Sequence, residues 1–272
     1  MIRVRRPLRV ALVGIDGCGK TTVAGRLSDP DLLVMHTTHP HETVDGPFHE
    51  LSRHLEALSA VADRLRSPQL KVAAFYLLLR TFGPIERFFT QTFTPHTVLS
   101  DRHPLIDGLV YLPLYRRQAA TMTAPPPDWA NELEPDTRRA ILAWAHRVEC
   151  EQDLWALGHR LLSLHTPSRD TLLVVLCGLL HATLPDVVVH LDLEVDEALR
   201  RLGELGRSAE LHETAAQLSV VRGEYEAVLD WLATRPTQIT VHRIDCGAGR
   251  SADDIAAEVT YRLDARMLCA VG

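Results

Sequence analysis

No apolar run in this chain approaches the ~20 residues that a membrane-spanning helix requires. The longest, Leu172 to Leu180, is far too short, so a transmembrane anchor is not expected. Basic residues are not in excess either. A net charge of −6 and an isoelectric point near 6.1 deny the chain the positive face that general nucleic-acid binding needs. Cysteine is sparse, with five residues (18, 150, 177, 246 and 269) and no C-x-x-C pair. That pattern excludes a disulfide framework and predicts a reduced, cytoplasmic setting. No repeat period, no low-complexity tract and no N-K-x-D segment of a guanine-specific switch is present. The N-terminal MIRVRRPLRVALVG superficially resembles a secretory leader. Its apolar run is short and leads straight into a glycine-rich turn, so it reads as a first strand.

What the chain does have begins at that turn. Gly14-Ile15-Asp16-Gly17-Cys18-Gly19-Lys20-Thr21-Thr22 fits G-x-x-x-x-G-K-[ST], the Walker A pattern. Glycines let successive backbone N–H groups curl around an anion, Lys20 reaches the β- and γ-phosphates, and Thr21 presents a hydroxyl to Mg²⁺. The apolar run Val10 to Val13 predicts a buried strand before the loop. Val23, Ala24 and Leu27 predict a helix after it, whose positive end would add to the anion site.

With 272 residues and 46% hydrophobic content, the chain can bury one large α/β core or two small ones. Strands are predicted at Leu32 to Met35, Thr97 to Ser100, Asp186 to Leu193 and Ile239 to Ile244. Helices are predicted at Phe48 to Leu65, Leu70 to Gln91 with a break at Gly83-Pro84, Pro135 to His165, Asp170 to Ala182, Val195 to Leu202 and Asp253 to Leu263. Strand–helix alternation with apolar strands implies a five-stranded parallel sheet in a three-layer α/β/α domain. The expected organisation is a single domain over 1–272, with a helical insertion at 112–184 and a lid region at 200–222.

Three further stretches carry candidate chemistry. Asp101-Arg102 ends a short strand, where an acid would complete a Mg²⁺ shell with Thr21 and the arginine would face an adjacent anion. A surface acid–base pair is the plainer alternative. Arg80 lies in an otherwise apolar helix, so it needs an anion, either a substrate phosphate or a local acid such as Glu86. His36, His39 and His41 follow the second strand. Without a fourth ligand they suit an acceptor wall better than a metal site. Arg200, Arg201, Arg207 and Arg222 read either as a solvated helix face or as mobile cations that meet a transferring phosphoryl group.

With these residues in view, the chain resembles the thymidylate kinase and deoxynucleoside kinase family of P-loop kinases. The resemblance rests on GIDGCGKTT, LSDRHPLIDGLVY, PDVVVHLDLEVDEALRRL and ITVHRIDCGAGRSADDIAAEV. It implies transfer of the γ-phosphoryl of Mg·ATP to a nucleoside monophosphate or nucleoside-like small molecule. Gly14, Gly17, Cys18, Gly19, Lys20, Thr21 and Thr22 would hold the donor, and Thr21 and Asp101 the metal. Asp16, His39, Arg80 and Arg102 would bind the acceptor. Lys20, Asp101, Arg102 and the lid arginines Arg201 and Arg207 would stabilise the transferring group. Where such kinases carry Arg-Glu-Pro-Gly-Gly, this chain has Thr38-His39-Pro40-His41-Glu42. The stretch from Tyr111 to Pro185 is also longer than the family pattern. Both departures fall on the acceptor side, which leaves open a kinase for a modified nucleoside, sugar or amino-acid derivative. A nucleotide-dependent switch is a third reading, and the two apolar helical regions leave room for a homodimer.

Overall fold

The computed structural model describes residues 6–42, 46–119, 124–164, 166, 168–204, 214–235, 239–247 and 249–269. In chain order the elements are β1 (Leu8–Val13), α1 (Lys20–Ala24), β2 (Leu32–His36), α2 (His49–Arg64), α3 (Pro68–Leu79), α4 (Phe82–Phe93), β3 (Thr97–Asp101) and α5 (Pro104–Ala119). They continue with α6 (Pro135–Glu149), α7 (Leu154–Leu162), α8 (Arg169–Leu180), β4 (Val187–Asp192), α9 (Val195–Glu204), α10 (Ala215–Ala233), β5 (Thr240–Asp245) and α11 (Ala252–Cys269). The residues divide into two compact units. One comprises Met1–His36, Phe89–His103 and Leu184–Gly272, and the other Thr37–Phe88 and Pro104–Thr183.

The first unit holds a five-stranded, all-parallel sheet in the order β2-β3-β1-β4-β5. This P-loop NTPase-like α/β/α architecture is the fold class that the strand–helix alternation predicts. β1 is central because Val10 to Val13 can be buried completely; each is at most 1% exposed. The strand order reverses at β1, between β3 and β4, and loops leaving the carboxyl ends of strands there are where open α/β sheets bind ligands. In register, His36 of β2 lies opposite Asp101 of β3, and Leu12 of β1 opposite the same Asp101. Three chain-distant segments thus end side by side.

The second unit is helical. α3 is apolar on nearly every side and correspondingly buried, lying against α2, α5 and α7. α7 approaches it through Gly158, where a β-carbon would fall 1.8 Å from the Gln69 carbonyl oxygen. Trp144 of α6 donates its indole N–H to Leu77 O of α3 at 2.9 Å.

Several element boundaries differ from the sequence expectation. The break in the 70–91 region falls at Arg80-Thr81, where the Thr81 hydroxyl donates to Leu78 O at 2.7 Å. Gly83-Pro84 sits in the first turn of α4, a place where a proline's missing N–H costs nothing. The expected helix over 135–165 is two helices. Cys150 ends α6 in a left-handed conformation (φ 54°), and Asp153 caps α7 by accepting from Ala156 N. α8 is buried along one side only, since Val174 is 72% exposed. α5, which carries Pro113 in its interior, occupies a stretch with no clear sequence period.

Candidate functional site

The glycine-rich loop runs from the end of β1 to the start of α1. Gly14 and Gly17 adopt φ of 149° and 83°, and a β-carbon at either would meet a backbone oxygen, Leu191 O at 2.5 Å or Ala198 O at 2.6 Å. Only glycine has room there, and this close packing against β4 and α9 holds the loop's curvature. α1 is five residues long, shorter than the Val23–Leu27 pattern suggests. Its dipole is correspondingly small, so an anion at this loop would be met chiefly by the loop N–H groups and Lys20.

Lys20 is only 7% exposed. Its Nζ donates to Gly14 O at 3.0 Å and Ile15 O at 2.8 Å and lies 3.9 Å from Asp16 Oδ1. The ammonium is thereby poised over the loop's own carbonyls. The Cys18 thiol is fully buried beside it, and burial pushes its pKa up despite the opposing pull of Lys20, so it adds no charge.

Thr21 Oγ1 donates to Asp101 Oδ2 at 2.7 Å, and His36 Nδ1 lies 3.3 Å from the same oxygen. Asp101 is buried, and burial alone would favour its neutral form. Hydrogen bonding to His36, the Lys20 charge, the Thr21 hydroxyl and Arg102 together outweigh this and hold its carboxyl below the usual range. A hydroxyl and an ionised carboxylate side by side form a hard oxygen donor set that fits Mg²⁺.

Arg102, in a left-handed conformation (φ 68°), donates its backbone N–H to Leu12 O at 2.9 Å. Its guanidinium pairs closely with the Asp16 carboxylate and donates to the Tyr225 hydroxyl at 3.3 Å. The surface-pair alternative for Asp101-Arg102 does not hold, since both residues are more than nine-tenths buried. Two cations here, Lys20 and Arg102, balance two carboxylates, Asp16 and Asp101.

The first unit thus brings together Gly14, Asp16, Gly17, Cys18, Gly19, Lys20, Thr21, Thr22, Asp101 and Arg102. Sequence reasoning grouped His36 with His39 and His41. The β2–β3 register sets it against Asp101, and the signal that could have found it was its place directly after the predicted strand Leu32 to Met35. Tyr225, mid-helix in α10, left no such signal.

In the second unit, His39 makes an edge-on contact with His41, ring centroids 5.8 Å apart, and its Nδ1 lies 3.2 Å from Thr38 Oγ1. Arg80 closes α3 and donates Nη1 to Leu179 O at the end of α8, 2.8 Å away. In α9, Arg201 pairs with Glu197 and donates to Cys246 O at 2.9 Å, and Arg200 pairs with Glu197 and Glu204. Arg207 lies outside the described residues.

No protein-family model and no curated protein matches the chain. Solved structures do. The chain is similar to deoxyadenosine kinase from M. mycoides with the products dCMP and a flexible dCDP bound. The TM-score is 0.52 at 13% identity, over 95% of this chain and 100% of that one. The same kinase with bound dCTP gives 0.50 at 14% identity, with the same coverage. At this identity the similarities bear on the fold alone. In architecture, the chain has the fold of the P-loop deoxynucleoside kinases.

Proposed function

We propose that this chain is an ATP-dependent kinase that transfers the γ-phosphoryl group to a nucleoside monophosphate or a nucleoside-like small molecule. The observation that carries the reading is the Lys20–Thr21–Asp101 cluster beneath a glycine-shaped loop, with the Asp16–Arg102 pair beside it. The loop N–H groups and Lys20 bind the β- and γ-phosphates, Lys20 exchanging its loop carbonyls for phosphate oxygens. Thr21 and Asp101 would hold Mg²⁺, which would supply positive charge to offset that of the donor phosphates. His36 orients the Asp101 carboxylate. Arg102, released from Asp16, meets an anionic group on the acceptor or the transferring phosphoryl.

The resemblance adds His39 and Arg80 as acceptor-binding residues and Arg201 and Arg207 as lid cations, within a single kinase domain. A phosphate acceptor needs no general base. A hydroxyl acceptor does, and Asp16 or His39 would supply it. The similar solved structures are of a nucleoside kinase, which keeps nucleoside hydroxyls among the acceptors to be tested.

The test is ADP release from Mg·ATP across nucleosides, nucleoside monophosphates and sugar-like or amino-acid-like alcohols, with wild type and Lys20→Ala. Turnover with at least one acceptor, reduced at least about 100-fold in the variant, is expected. Absence of turnover with every acceptor, together with unchanged ATP affinity in Lys20→Ala, would sink the proposal.

A further inference from the structure

A second cluster of ligand-type side chains lies on the opposite side of β1 from Asp101, at the carboxyl end of β4. His190 and Asp192 alternate on that strand and so project to the same face of the sheet, toward Glu226 of α10. One ligand atom from each of the three lies within 4.8 Å of the others. His190 is 1% exposed and its Nδ1 has no hydrogen-bond partner, although it sits 3.3 Å from Glu226 Oε1. A buried ring nitrogen left unsatisfied beside a carboxylate oxygen is costly unless something bridges the two.

We propose that His190, Asp192 and Glu226 form a binding site for a borderline transition-metal dication such as Zn²⁺ or Co²⁺, separate from the Mg²⁺ position at Thr21 and Asp101. Metal–ligand distances of about 2.0–2.2 Å place neighbouring donors of a tetrahedron about 3.3–3.6 Å apart, which the His190–Glu226 separation matches. Imidazole with two carboxylates favours such a metal over Mg²⁺ or Ca²⁺.

The surrounding charges permit the exchange. Glu226 turns Oε1 to His190 and Oε2 to Arg243, so it can bind metal without giving up the arginine. Asp192 is engaged by Arg222, but Arg222 also holds Glu194 at 2.8 Å and keeps an anion when Asp192 turns inward. Asp192, Glu194, Glu226 and Asp230 set against Arg222 and Arg243 leave a local charge of −2, suited to a dication. Glu226, with Glu194 and Arg222, also lines a cleft of about 390 Å³, so the site's outer carboxylate is open to solvent.

The experiment is titration of chelator-treated full-length protein with Co²⁺ in excess Mg²⁺, followed by ligand-field absorption and metal analysis. One equivalent is expected, with the spectrum of a four- or five-coordinate nitrogen–oxygen site, displaced by Zn²⁺. Glu226→Gln, on the accessible face of α10, should weaken binding at least about tenfold while leaving the circular dichroism spectrum unchanged. Asp101→Asn should leave the cobalt spectrum as in wild type. The proposal is overturned by absence of the band, by a thiolate charge-transfer spectrum, by a band that survives Glu226→Gln, or by one lost in Asp101→Asn.

Discussion

Replacing Arg102 with methionine separates what this arginine does for the fold from what it does for the reaction. Its guanidinium, 10% exposed, faces an Asp16 carboxylate 20% exposed. Removing one member of a buried pair commonly costs about 3–5 kcal/mol, because the other charge stays behind unpaired. Here Lys20 Nζ remains 3.9 Å from Asp16 and the carboxylate keeps some solvent, so about 2–3 kcal/mol is expected. Methionine inherits the left-handed backbone of position 102, so the strain of φ 68° cancels in the comparison. At about 2–4 °C per kcal/mol for a chain of this size, the melting temperature should fall by about 5–10 °C. Asp16→Asn should be destabilising too, since it removes the carboxylate that the Arg102 guanidinium pairs with. The double variant leaves neither charge stranded, so its loss should be smaller than the sum of the single losses by at least about 1 kcal/mol. Phosphoryl transfer should be lost in both the single and the double variant containing methionine. Calorimetry or denaturant titration of the four proteins is the assay. Additive losses, equal within about 0.5 kcal/mol, would refute the reasoning, because the pair would then contribute nothing that depends on both charges.

Two further outcomes follow from the same site. Gly17→Ala places a β-carbon 2.6 Å from Ala198 O at a φ of 83°. The left-handed backbone costs about 1–2 kcal/mol and the forced shift about 1–3 more, so both melting temperature and ATP affinity should fall; a melting temperature unchanged within error would contradict the close packing. Asp101 has a folded pKa below its unfolded value of about 3.9, so its stabilisation is complete above that pH and is lost as pH falls through the folded value. Asp101→Asn should therefore flatten the acid limb of the stability profile below about pH 4, and an acid limb as steep as in wild type would show that Asp101 does not carry it.

Much of the first unit was legible because its signals are local. A buried strand needs contiguous β-branched residues, as in Val10 to Val13 and Val187 to Val189. A tight loop around an anion needs glycine at set intervals. The helical unit was legible only in part. Its break at Arg80-Thr81 depends on a threonine hydroxyl turned back on its own helix, and Cys150 ends α6 in a conformation its residue type does not announce. The length of α1 was overestimated for a related reason: apolar spacing at Val23 and Leu27 continues past the point where hydrogen bonding tightens into turns around Gly25.

By itself, then, the amino-acid sequence determined the glycine-rich loop and the parallel α/β class, since each depends on residue types that recur at short range. Tertiary structure alone decided which distant side chains meet. It aimed Arg102 at Asp16 and Tyr225, set His36 against Asp101 rather than among its neighbouring histidines, and drew His190, Asp192 and Glu226 together. Those meetings follow from strand order and register, and these are settled by burying whole elements against one another, a global condition that no local pattern encodes.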